Sequence, residues 1–118
     1  MLTTLLLAAA VSATTHLVIE PWRGSNLPTV TSSAQKYRLR VTGTPNATLV
    51  LHAGDLAKGW LAAFCTPRVC APMRVDVTLP ATGAAVYQFE LIREETGGPA
   101  HSGATITSSD GASVSVPH

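Results

Sequence analysis

Charge is scarce in this chain. Its 118 residues include eight Lys and Arg and seven Asp and Glu, with no run of either sign. A nearly neutral chain with scattered basic residues offers no electrostatic footprint for nucleic acid or an anionic membrane surface. Long apolar runs are missing too. Nothing after position 13 approaches the ~20 consecutive apolar residues of a membrane helix, so no membrane-spanning segment is expected. Cysteine is limited to Cys65 and Cys70, and the four histidines, His16, His52, His101 and His118, are isolated from one another. A structural zinc site normally draws on two closely spaced ligand pairs, so no metal is expected. No Ser/His/Asp grouping with a Gly-rich nucleophile turn and no phosphate-cradling loop appears. These absences argue against an enzyme and against a cofactor. Asp55, Asp76 and Asp110 lie in separate segments and compose no calcium loop.

What is present begins with a distinct N-terminal segment. Residues 1–13, MLTTLLLAAAVSA, hold an unbroken apolar run from Leu5 to Val11, and Val11-Ser12-Ala13 has the small-x-small pattern of a cleavage site. No Lys or Arg precedes the run, which leaves the α-amine as its positive charge. The segment reads as a signal peptide, with residues 14–118 as one domain, a length ordinary for a single domain. The expected location is secreted or periplasmic.

From there to the end, apolar and polar residues alternate. Tyr37, Leu39 and Val41 share one face and Arg38 and Arg40 the other. Leu49 and Leu51 face together. Val75, Val77 and Leu79 oppose Arg74, Asp76 and Thr78. Tyr87, Phe89 and Leu91 oppose Gln88 and Glu90, and Val114 and Val116 alternate with Ser113 and Ser115. A period of two is the signature of half-buried strands. With "THLVIE" and "ATIT" the strand candidates number seven. Turn signals such as "GTPN", "HAGD", "PATG" and "SSDG" recur about every ten to fifteen residues, as in sandwiches and barrels. Asp110-Gly111 sits between the last two strands as a hairpin turn. Only "AGDLAKGWLAAF" has helical character, limited by Gly54 and Gly59 to about one turn, and Gly97 to Gly103 reads as a flexible loop. The expected fold is an all-β, immunoglobulin-like antiparallel β-sandwich of about seven strands.

The two cysteines could form a redox centre, half a metal site or a staple. A redox pair of thioredoxin type stands at a helix N-terminus in a βαβ unit. Here the spacer is Thr-Pro-Arg-Val and no βαβ pattern exists. The spacer lets the chain turn back so that the two Cα atoms approach bridging distance. The expectation is a local Cys65–Cys70 disulfide, which fits an exported protein. Trp60 and Phe64 flank it and are expected to bury beneath its loop.

Gly59-Trp60, Phe64-Cys65, Cys70, Pro72, Gly83 and Tyr87-x-Phe89 together resemble a family of bacterial secreted immunoglobulin-like domains that accompany larger exported or surface proteins. The match covers about half the chain. The resemblance implies a β-sandwich with a local disulfide and no catalytic residues. It does not extend to the inter-sheet disulfide of antibody domains, since these cysteines are too close in sequence.

Other motifs have simpler readings. Leu79 to Gly83, "LPATG", matches a sortase pattern but runs into an alternating, charged segment, so it reads as a strand end and a turn. Asn46 opens an Asn-Ala-Thr glycosylation triplet and reads as a turn. Trp22, with Arg23 beside it in "EPWRGSNLP", and Trp60 are the candidate ligand contacts, because exposed aromatic rings stack on sugars. The leading functional expectation is a non-enzymatic secreted interaction or structural module that contacts another extracellular or cell-surface protein. The alternative is a carbohydrate-binding module whose glycan stacks on Trp22 or Trp60.

Overall fold

A computed structural model describes residues 15–22, 34–94 and 98–117. These residues form nine strands and no helix. They are β1 (His16–Pro21), β2 (Ala34–Thr42), β3 (Thr48–Gly54), β4 (Trp60–Cys65), β5 (Cys70–Pro72), β6 (Arg74–Thr78), β7 (Ala84–Arg93), β8 (Ala104–Ser108) and β9 (Ser113–Val116). They pair antiparallel in a five-stranded sheet, β1-β2-β7-β4-β5, and a four-stranded sheet, β6-β3-β8-β9. The order β1-β2-β7-β4 opposite β3-β8-β9 is the A-B-E-D and C-F-G arrangement of an immunoglobulin-like sandwich. The chain departs from that plan at β6. It leaves β4 and β5 in the first sheet, turns at Met73 with φ 62°, and joins the second sheet beside β3.

The seven alternating segments are all strands. The two additional ones, β4 and β5, make the cysteine hairpin. "WLAAFC" escapes a period-two reading because Ala63 and Cys65 are buried as well as Trp60, Ala62 and Phe64 on the opposite face. A strand covered on both faces reads as a continuous apolar run. The single helical turn for which "AGDLAKGWLAAF" left room does not form. Asp55 and Gly59 take positive φ (58° and 84°), which breaks any helical turn, and the chain is extended from Trp60 onward.

The inner faces meet in one core. Leu39, Leu49, Leu51, Val75, Val77, Phe89 and Leu91 are buried as their alternation requires, while Tyr37 is half-buried at the margin. Tyr37, Phe89 and Phe64 are directly opposed across β2, β7 and β4. Their ring centroids lie 6.3 Å and 5.0 Å apart with tilted planes, the offset geometry that aromatic quadrupoles favour. Residues 79–83 turn the chain from β6 into β7, as read from "LPATG". Gly83 is required there: its φ is +76°, and a Cβ would stand 2.5 Å from the Gly43 carbonyl oxygen.

The connection into β8, expected to be flexible, is anchored over residues 98–103. The Trp60 indole donates to the Pro99 carbonyl (2.8 Å), Arg93 to the Gly98 carbonyl (2.6 Å), and Ser102 is fully buried.

Candidate functional site

Cys65 and Cys70 form the expected disulfide and are directly opposed across the β4–β5 hairpin. The turn between them is closed by the Thr66 amide, which donates to the Val69 carbonyl at 2.8 Å, while the Val69 amide donates to the Thr66 hydroxyl. The bridge therefore fastens one hairpin of one sheet.

The structure separates the two tryptophans. Trp60 is 8% exposed and belongs to the core. Its indole N–H is satisfied by Pro99, so Trp60 is buried as expected, and the alternative in which it stacks on a sugar is left without an exposed face on this ring. Trp22 is half-buried, and the Arg38 guanidinium lies 5.7 Å from its ring centroid, within cation–π range. Arg23 lies outside the described residues, as do residues 1–13. His16, His52 and His101 are exposed and stand in three different places, on β1, on β3 and before β8.

Among the described residues, β6 is an edge strand of the four-stranded sheet. The Ala53 amide donates to the Met73 carbonyl (2.9 Å), and the Leu79 amide to the Ala47 carbonyl (2.8 Å). Both pairs continue the β3–β6 register. Hydrogen-bonded pairs alternate along an antiparallel ladder. Val75 and Val77 therefore turn their backbone groups toward β3, with the Met73 carbonyl and the Leu79 amide bonded to it at the two ends, while the Met73 amide donates to the Ala62 carbonyl of β4 (2.9 Å). Arg74, Asp76 and Thr78 turn theirs away from it, to the side where the four-stranded sheet ends. Pro72 and Pro80 bracket the edge, so an added strand finds three consecutive outward N–H and C=O pairs and no more.

Beside this edge lies a groove of about 670 Å³, bordered by Thr66 and Arg68 of the hairpin turn, Asp76 and Thr78 of β6, and Val86 and Tyr87 of β7. The β4–β7 ladder ends at Cys65 opposite Gln88. Val86, which by the same alternation points its backbone toward β4, thus lies beyond the last β4 partner. Its side chain is 49% exposed, and Val69 in the hairpin turn is 54% exposed. Arg68 and Asp76 supply one charge of each sign. Burial pushes the Tyr87 hydroxyl above its usual range. These groups can hold an extended backbone by hydrogen bonds and seat its side chains.

A second, mostly apolar cleft of about 610 Å³ opens between the ends of β1 and β9, with Ile19, Pro21, Tyr37, Val116 and Pro117 in its walls. Gln35 donates to the Tyr37 hydroxyl there (2.8 Å).

Sequence reasoning named the disulfide but missed the β6 edge. The usable signal was the spacing Pro72, Pro80 around "RVDVT": prolines are confined to edges and strand ends. No protein-family model, curated protein or solved structure matches the chain.

Proposed function

We propose that the chain is a non-enzymatic interaction module that works by protein–protein contact at the open edge of β6, in a secreted or periplasmic setting. The observation that carries the reading is the run of outward backbone groups at Arg74, Asp76 and Thr78, beside a groove with exposed Val86 and Val69. Strand addition supplies affinity through main-chain hydrogen bonds and specificity through pockets for alternate side chains. The disulfide supports the setting, because such bonds persist in oxidising compartments. A resemblance to secreted immunoglobulin-like domains points the same way.

The test is site-directed photo-crosslinking in the native host. A crosslinking residue at Thr78, on the edge, is compared with one at Thr107, exposed on β8 away from that edge. The expected result is a protein adduct through position 78 and none through 107. Equal labelling from both positions, or no adduct from 78, would overturn the proposal.

A further inference from the structure

We infer that the strand that adds to β6 is β6 of a second copy of this chain, paired antiparallel so that Arg74 of each copy faces Asp76 of the other. The inference rests on the reading of the β6 edge as the contact surface and names its occupant.

The argument starts from what an antiparallel partner of β6 must offer. Arg74 and Asp76 are exposed and share the solvent-facing side of the sheet, while Val75 between them points to the core side. Directly opposed charges of opposite sign stabilise a strand pair and like charges destabilise it. A partner running the other way therefore needs a base opposite Asp76, an apolar residue opposite Val75 and an acid opposite Arg74. Read along the partner's own chain, that is base, apolar, acid. Arg74-Val75-Asp76 is that sequence. The edge is its own complement.

The hydrogen-bond phase agrees with the charge pattern. Arg74 and Asp76 both turn their backbone groups outward, so each Arg74–Asp76 pair across the contact is a hydrogen-bonded pair that exchanges two bonds. The two Val75 side chains then meet on the twofold axis in a non-hydrogen-bonded pair, the position where side chains approach most closely. Such a contact is isologous and closes on itself as a twofold dimer.

Neighbouring registers are disfavoured. A shift by two in one direction sets Asp76 against Asp76, and in the other Arg74 against Arg74, each directly opposed. A shift by one would turn the apolar side of one strand toward the polar side of the other. Charges that ordinarily protect an edge from indiscriminate pairing here select one register, and Pro72 and Pro80 keep the contact short.

The test is sedimentation equilibrium on the full chain and on two charge-reversal variants, Arg74→Asp and Asp76→Arg. Both positions are exposed, and far-UV circular dichroism checks that each variant is folded. The wild type is expected to dimerise reversibly. Each variant alone sets like charges opposite one another in both symmetric pairs and should weaken dimerisation about tenfold or more. An equimolar mixture of the two variants restores opposite charges at every contact and should dimerise as strongly as the wild type. A wild type that stays monomeric at the highest concentration reached overturns the inference, as does a mixture no stronger than its components. A monomeric wild type that still yields a position-78 adduct with a different protein would overturn the homodimer alone and leave the edge as the contact surface. Absence of both dimer and adduct would remove both.

Discussion

Gln35 and Ser102, sixty-seven positions apart, join β2 to the segment before β8 by a two-way hydrogen-bonded contact. The Gln35 amide donates to the Ser102 carbonyl at 3.0 Å, and the Ser102 amide donates to the Gln35 side-chain oxygen at 3.1 Å. The Ser102 hydroxyl in turn accepts from the Ala57 amide at 2.9 Å. One side chain thus takes the place of a strand partner for a fully buried backbone. It also ties the five-stranded sheet to the four-stranded one.

Replacing Gln35 by Ala should therefore be costly for its size. It strands a buried donor and a buried acceptor at Ser102, each worth about 1–3 kcal/mol when unsatisfied. Urea denaturation should show a loss of at least about 2 kcal/mol. An Ala substitution at exposed Lys36, the next residue, should change stability by less than about 0.5 kcal/mol.

Removal of the disulfide should be mild. Changing both Cys65 and Cys70 to Ala releases a closed loop of only a few residues, so the chain-entropy loss is about 2 kcal/mol. The hairpin keeps its own fastenings: the Thr66 amide to Val69, and the Met73 amide to the Ala62 carbonyl at 2.9 Å. Circular dichroism should show an unchanged β spectrum, with a lower urea midpoint.

Acid should weaken the anchor between β1 and the β8–β9 turn. Asp110 accepts hydrogen bonds from the hydroxyls of Thr15 and Ser108. Burial alone would raise the carboxyl, but those hydroxyls and the backbone amides of Ala112 and Asp110 outweigh it and hold it below its ordinary value of 3.8. A carboxyl with a depressed native pKa binds fewer protons folded than unfolded through this range. Its contribution is full well above pH 3.8 and is lost as pH falls through 3.8 and the native value. Asp110→Asn should flatten the acid limb of stability measured by urea titration between about pH 5 and pH 2.

Proline scanning reads the phase of β6 directly. Asp76→Pro removes an outward N–H and should leave the fold in place, as prolines on edge strands do. Val77→Pro removes an N–H aimed at β3 and strands an acceptor in the ladder. It should destabilise by at least about 2 kcal/mol more, again by urea denaturation.

Local information in this sequence determined the strands, the apolar faces and the cysteine staple. Alternation along Arg74–Thr78 or Tyr87–Leu91 specifies which side of a strand is buried, because side chains on a strand change face at every residue. A five-residue separation allows Cys65 and Cys70 to meet without any knowledge of the rest of the chain. Tertiary structure decided the remainder. Trp60 looks alike in sequence whether it stacks on a ligand or packs between sheets. Its burial follows from a sheet lying opposite and from the Pro99 carbonyl, thirty-nine residues away. Alternation also says which face is buried without saying which strands are neighbours. β6 is an edge only because the chain turns at Met73 and crosses to lie beside β3, with no strand on its other side among the described residues. That placement depends on long-range pairing, and it turns Arg74, Asp76 and Thr78 from an ordinary solvent face into a row of open backbone groups.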